Sequence, residues 1–182
     1  IDKSNHIKAD MNLLADDGTA LNLYSTPNET AQQDITLSIA NFNLGELSRV
    51  LPFMPMVTGM LNGDIHAVKE EEQATVSVDM DVKKMGFEGS PLGDIGMEMI
   101  YFPNADGSHL VDGILSQNNR EIALLNGRYW TKGEEGQIEA EAHLQRLPLN
   151  IANGFITDNM ARLEGYISGT LDVQGPVSAP LM

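Results

Sequence analysis

The stretch Gly59-Met60-Leu61-Asn62-Gly63-Asp64-Ile65-His66-Ala67 returns near the C-terminus as Gly165-Tyr166-Ile167-Ser168-Gly169-Thr170-Leu171-Asp172-Val173. Both copies read glycine, large, apolar, small polar, glycine, polar, apolar, polar, small apolar, at a constant offset. An enzyme site is rarely repeated this way within one chain, whereas elongated β-structures grow by repeating a strand-rich module. The two units span approximately residues 35–68 and 138–173. The chain therefore reads as a single segment, residues 1–182, of a longer repeat-built β-protein. It starts at Ile1 and stops at Leu181-Met182 after Gly175-Pro176-Val177-Ser178-Ala179-Pro180, and both ends read as cuts in a larger sequence.

Beyond the glycine motif itself, strict alternation of apolar and polar residues dominates, the signature of strands with one buried face. Ile35, Leu37 and Ile39 alternate with Thr36 and Ser38, and Val76, Val78, Met80 and Val82 with Ser77, Asp79 and Asp81. The same holds for Ile95, Met97 and Met99, and for Ile138, Ala140, Ala142 and Leu144. Asp16-Asp17-Gly18-Thr19 joins two further segments, residues 7–13 and 21–25, as a hairpin turn. The remaining connections are short and polar, which predicts an antiparallel meander. Two short stretches read as helical: Leu44 to Leu51, ahead of Pro52, and a weaker counterpart from Leu149 to Ile156. Each precedes its copy of the glycine motif, so the order strand, helix, glycine-rich strand repeats too. The fold class expected is all-β, with one or two short helices on an elongated, curved antiparallel sheet.

Composition narrows the function. A formal net charge of −15 over 182 residues leaves no basic patch for displacing counterions from a phosphate backbone, so nucleic acid is not an expected partner. No apolar run approaches the roughly 18 to 20 residues that span a bilayer as a helix. Zero cysteines exclude disulfides and thiolate chemistry. The histidines His6, His66, His109 and His143 are scattered and read as solvent-face strand residues, with no metal-ligand spacing. Asp79 and Asp81 share a strand face but lack the glycine and closing glutamate of a calcium loop. No nucleophile elbow, phosphate loop or dinucleotide fingerprint is present. The expectation is a non-enzyme with no cofactor and no metal. Aromatics are only 5% of the chain while Met contributes 10 residues, several at inward strand positions (Met80, Met97, Met99). Met suits a surface that adapts to variable apolar partners, and it equally fills a closed core.

Phe87-Glu88-Gly89-Ser90-Pro91-Leu92-Gly93-Asp94-Ile95, followed by Met97, Met99 and Tyr101, resembles the opening of a strand in the TamB family, the translocation and assembly module subunits within the wider AsmA-like group. Leu124-Leu125-Asn126-Gly127-Arg128-Tyr129 and the run from Leu163 to Gly175 leading to Pro180 continue the resemblance. Leu47-Ser48-Arg49-Val50-Leu51-Pro52-Phe53 is similar to the family's amphipathic insertion. The likeness covers most of residues 35–182, is weak over residues 1–30, and has the flavour of the Bacteroidetes branch.

The resemblance implies a β-taco-like sheet whose apolar concave face is a groove. It implies a periplasmic segment of an inner-membrane-anchored protein in a Gram-negative bacterium, meeting a TamA-like outer-membrane barrel. The implied activities are phospholipid transport between the membranes and support of outer-membrane protein assembly or secretion. Groove-lining candidates for phospholipid acyl chains are Ile35, Leu37, Ile39, Val76, Val78, Met80, Ile95, Met97, Met99, Ile138, Leu144, Ile167 and Leu171. The alternative is a chaperone-like scaffold that holds nascent outer-membrane or secreted polypeptide strands by β-augmentation. An ordinary closed core requires the same alternation, so the sequence leaves groove and core both open.

Overall fold

The computed structural model describes residues 8–50, 55–71, 73–132, 135–155 and 162–178. Ten strands follow in chain order: β1 (Asp10–Leu14), β2 (Ala20–Ser25), β3 (Gln33–Asn43), β4 (Val57–Glu70), β5 (Gln73–Phe87), β6 (Ser90–Pro103), β7 (Ser108–Gln117), β8 (Arg120–Lys132), β9 (Glu135–Pro148) and β10 (Tyr166–Pro176). Each pairs antiparallel with the next, giving one open, curved sheet in sequential order. Helix α1 (Gly45–Val50) lies between β3 and β4, and a 3-10 helix (Leu149–Phe155) lies between β9 and β10. Leu51 and Ile156, at the expected helix ends, lie outside the described residues, as do His6 and Met54.

The turns follow from local chemistry. Between β1 and β2 the Asp17 carboxylate accepts from the Thr19 amide at 2.9 Å, and Gly18 takes the left-handed position with φ 86°. That amide is the main reason the Asp17 pKa lies below its ordinary value. At the β6–β7 turn, Asp106 accepts from the hydroxyl of Ser108 at 2.6 Å and from its amide at 2.9 Å, which lowers its pKa in the same way.

The sequence repeat is a structural repeat. In the first copy β3 bulges at Asn41 (φ 53°), whose amide donates to the Asn62 side chain at 2.9 Å. In the second β9 bulges at Arg146 (φ 55°), whose amide donates to Ser168 Oγ at 2.9 Å. The small polar residue of the glycine motif thus caps the amide that the bulge removes from the ladder. The helix then starts with Leu44 N–H on the Gly59 carbonyl in one copy and Leu149 N–H on the Gly165 carbonyl in the other.

Among the described residues the single sheet has two faces and no second sheet packed on it, only helix α1 beside β4 and the 3-10 helix beside β6. The chain exposes 12421 Å², whereas a compact monomer of this length exposes about 8,600 Å². Among the described residues the buried apolar side chains are few: Ala31, Val78, Leu92 and Ile122. Stability therefore rests on the backbone ladder and on half-buried cross-strand rows rather than on an enclosed core.

Candidate functional site

Directly paired residues in a sheet share a face, so the register settles which side chains lie together. One row crosses all ten strands: Met11, Leu23, Leu37, Ile65, Val78, Met99, Gly113, Leu125, Ala142 and Leu171. On one side of it runs Leu13, Leu21, Ile39, Gly63, Met80, Met97, Leu115, Ala123, Leu144 and Gly169. On the other, Ile35, Ala67, Val76, Tyr101, Val111, Gly127, Ala140 and Val173 continue the apolar surface from β3 to β10. Ile95 opposes Val82, Ile138 opposes Tyr129, and Ile167 shares the parity of Leu171 on β10. All the candidates from Ile35 to Leu171 therefore occupy one face.

That face stays accessible. Val78, in the central row, is 9% exposed, but Met97 is 38%, Leu125 44% and Leu171 45% exposed. Gly127 opposes Ala140, and Gly113 and Ala142 flank Leu125, so small residues are interspersed among larger neighbours there. The apolar face ends in an aromatic group. Tyr101 stacks on His109 with centroids 5.8 Å apart, the Tyr101 hydroxyl meets His109 Nδ1 at 2.8 Å, and Tyr129 tilts against the same imidazole. His109 thus corrects the expectation of a solvent-face histidine. Its register opposite Pro103 and Tyr129 puts it on the apolar face, where Tyr101 satisfies one ring nitrogen.

Several side chains of the apolar surface, among them Leu21, Leu23, Ile65, Leu115 and Leu125, were not among the candidates and join them through pairing. A second omission concerns the opposite face. It carries Asp64, Asp79, Asp81, Glu98, Asp112, Glu139, Glu141 and Asp172, yet also Ile100, Ile114 and Leu124. The signal for these three is the apolar doublets Met99-Ile100, Ile114-Leu115 and Leu124-Leu125 on three consecutive strands, where one member of each doublet must point away from the apolar face. A recess of about 700 Å³ opens there, lined in part by Asp79, Glu98, Ile100, Asp112, Ile114, Leu124 and Glu141.

The electrostatics of the polar face are those of bound carboxylates. Asp34 accepts from Asn28 Nδ2 at 3.0 Å and meets His66 Nε2 at 2.9 Å, and these two contacts, in that order, hold its pKa below the usual value. Among the described residues no group of three or more metal-ligating side chains converges. No described helix is long and apolar enough to cross a membrane, which leaves strand-built spans unaddressed. No family model, curated protein or solved structure matches this chain.

Proposed function

We propose that this chain is a groove segment of a TamB/AsmA-like protein, a non-catalytic surface along which phospholipid acyl chains move between inner and outer membrane. The observation that carries the reading is the apolar row crossing all ten strands with no protein layer over it among the described residues. An apolar surface of that extent calls for a cover, and acyl chains supply one. Each CH₂ taken from water contributes about 0.8 kcal/mol, so several inserted carbons offset the cost of leaving the bilayer. Flexible Met80, Met97 and Met99 adapt to chains of differing length and unsaturation. Headgroups stay at the rim. On this reading the segment is periplasmic, its parent protein is anchored in the inner membrane, and a TamA-like barrel receives it at the outer membrane, where it also supports protein assembly.

Photocrosslinking in cells from a probe at Met97 of the full-length protein tests this. Phospholipid adducts at Met97, absent from a probe at Glu98 on the opposite face, support the conduit. Polypeptide adducts would favour the assembly scaffold, and no adduct at either position would leave the groove without a ligand and sink the reading.

The scaffold is the second reading, favoured by one observation. Among the described residues β10 pairs with β9 alone, and on this reading an incoming strand would pair along the other side of β10. A proline scan of β10 that removes outward amides would abolish peptide capture on this reading and leave lipid adducts intact on the first.

A further inference from the structure

Three features of the polar face play no part in lipid carriage. Asp64, Asp79 and Glu98 stand directly opposite one another on β4, β5 and β6, where like charges in register destabilise a sheet. The ion pairs of Lys83 run instead to Asp81 and Asp94. The same cross-strand row continues into Ile114 and Leu124, with Ile100 one step diagonal. Ile100 and Ile114 are 40% and 38% exposed on the face that carries the carboxylates, where Phe102, Leu110 and Trp130 also lie. The recess of about 700 Å³ lies over this junction, and Asp112 and Glu141 also border it.

We propose that this recess is a docking site for a basic amphipathic helix of a partner protein. Ile100, Ile114 and Leu124 sit on three successive strands, which step by about 4.8 Å, close to the roughly 5.4 Å rise of one helical turn. A helix laid across the strands therefore presents apolar side chains at i, i+3 or i+4, and i+7 to the three in turn. Lys or Arg beside that seam meets the bordering carboxylates and relieves the repulsion within the acidic row. The same carboxylates repel phosphate, so the recess is not a second lipid site. This site is independent of the conduit, because it uses the other face of the sheet.

The test titrates the protein with a synthetic helical peptide built on the repeat Leu-Lys-Lys-Leu-Leu-Lys-Leu, read by fluorescence anisotropy. Saturable binding is expected, weakened about 5- to 10-fold by the double substitution Asp79→Asn with Glu98→Gln. Ile114→Gln is expected to weaken it about 10-fold, while Met97→Gln, on the same sheet but facing away, changes nothing. A photoprobe at Asn126 crosslinks the peptide and one at Leu125 does not. Delocalised attraction to an acidic protein would show itself differently. A peptide with Leu replaced by Gln would then bind as tightly, or Ile114→Gln and the Asn126 probe would have no effect, and either result overturns the proposal. Should Ile114→Gln unfold the chain, the charge variants and the two probes still decide.

Discussion

Gly63 and Gly169 occupy the same place in the sequence repeat, yet the structure predicts unequal costs for replacing them. A Cβ at Gly63 would stand 2.1 Å from the Asp79 carbonyl oxygen and 2.6 Å from Met80 Cα, both backbone atoms of β5. At Gly169 nothing lies within 4 Å, because among the described residues only β9 pairs with β10. Relief at Gly63 requires β4 and β5 to part by about 1 Å, which stretches two ladder bonds beyond useful length at about 1 kcal/mol each. Its φ of 143° adds roughly 1–3 kcal/mol for any residue with a side chain. Gly63→Ala should therefore destabilise by about 3–5 kcal/mol. The φ of 158° at Gly169 is likewise one that side-chain-bearing residues rarely adopt, so Gly169→Ala should cost about 1–3 kcal/mol from the backbone alone. In urea, with a slope near 2 kcal/mol per M, the two midpoints should differ by about 1 M. Equal midpoints would refute the reasoning, since they would show that backbone conformation, not the approach of β5, sets the glycine requirement.

Other outcomes follow from the same structure. Val78→Ala, which removes two methyl groups from the most enclosed site of the central row, should lower unfolding stability by about 2 kcal/mol in chemical denaturation. Met97→Asp, at a site 38% exposed, should keep the fold by circular dichroism and lose phospholipid adducts. Asn62→Ala and Ser168→Ala each strip the cap from a bulge amide and should cost about 1 kcal/mol in urea midpoints. Because the Asp34 pKa is lowered in the folded chain, its contribution is present above the ordinary carboxylate pKa and fades as pH falls through the lowered value. Asp34→Asn should therefore flatten the acid limb of a stability–pH curve below about pH 4, and an unchanged limb would remove Asp34 from the account.

The meander and the orientation of the alternating segments were legible in the sequence because alternation depends on neighbours two residues apart, whereas β7 (Ser108–Gln117) was not singled out. Helix α1 and its 3-10 counterpart were legible too, though the shorter 3-10 geometry of Leu149–Phe155 was not, since both helices present apolar residues at similar spacing. What could not be read was anything created by register. Ile65 joins Leu37 and Val78 through uninterrupted pairing on both sides, with the bulges at Asn41 and Lys84 beyond that stretch. Alternation states that a residue points one way; it is silent on what stands opposite.

That limit also explains why the polar face escaped notice. Met99-Ile100, Ile114-Leu115 and Leu124-Leu125 each look like a lapse in alternation when taken alone. Pairing turns three lapses into one surface, because Ile114 opposes Leu124 directly and Ile100 sits on the strand before. These three lie next to the residues Asp64, Asp79 and Glu98, which repel one another. Two locally unfavourable choices, exposed apolar side chains and opposed carboxylates, sit together on one side of a sheet whose other side holds the apolar rows. Local conflicts of this kind mark places where a sequence departs from what folding alone would choose. Under the two proposals the faces would serve different partners: the apolar rows match acyl chains, and the acidic recess matches a ligand that carries positive charge beside apolar side chains.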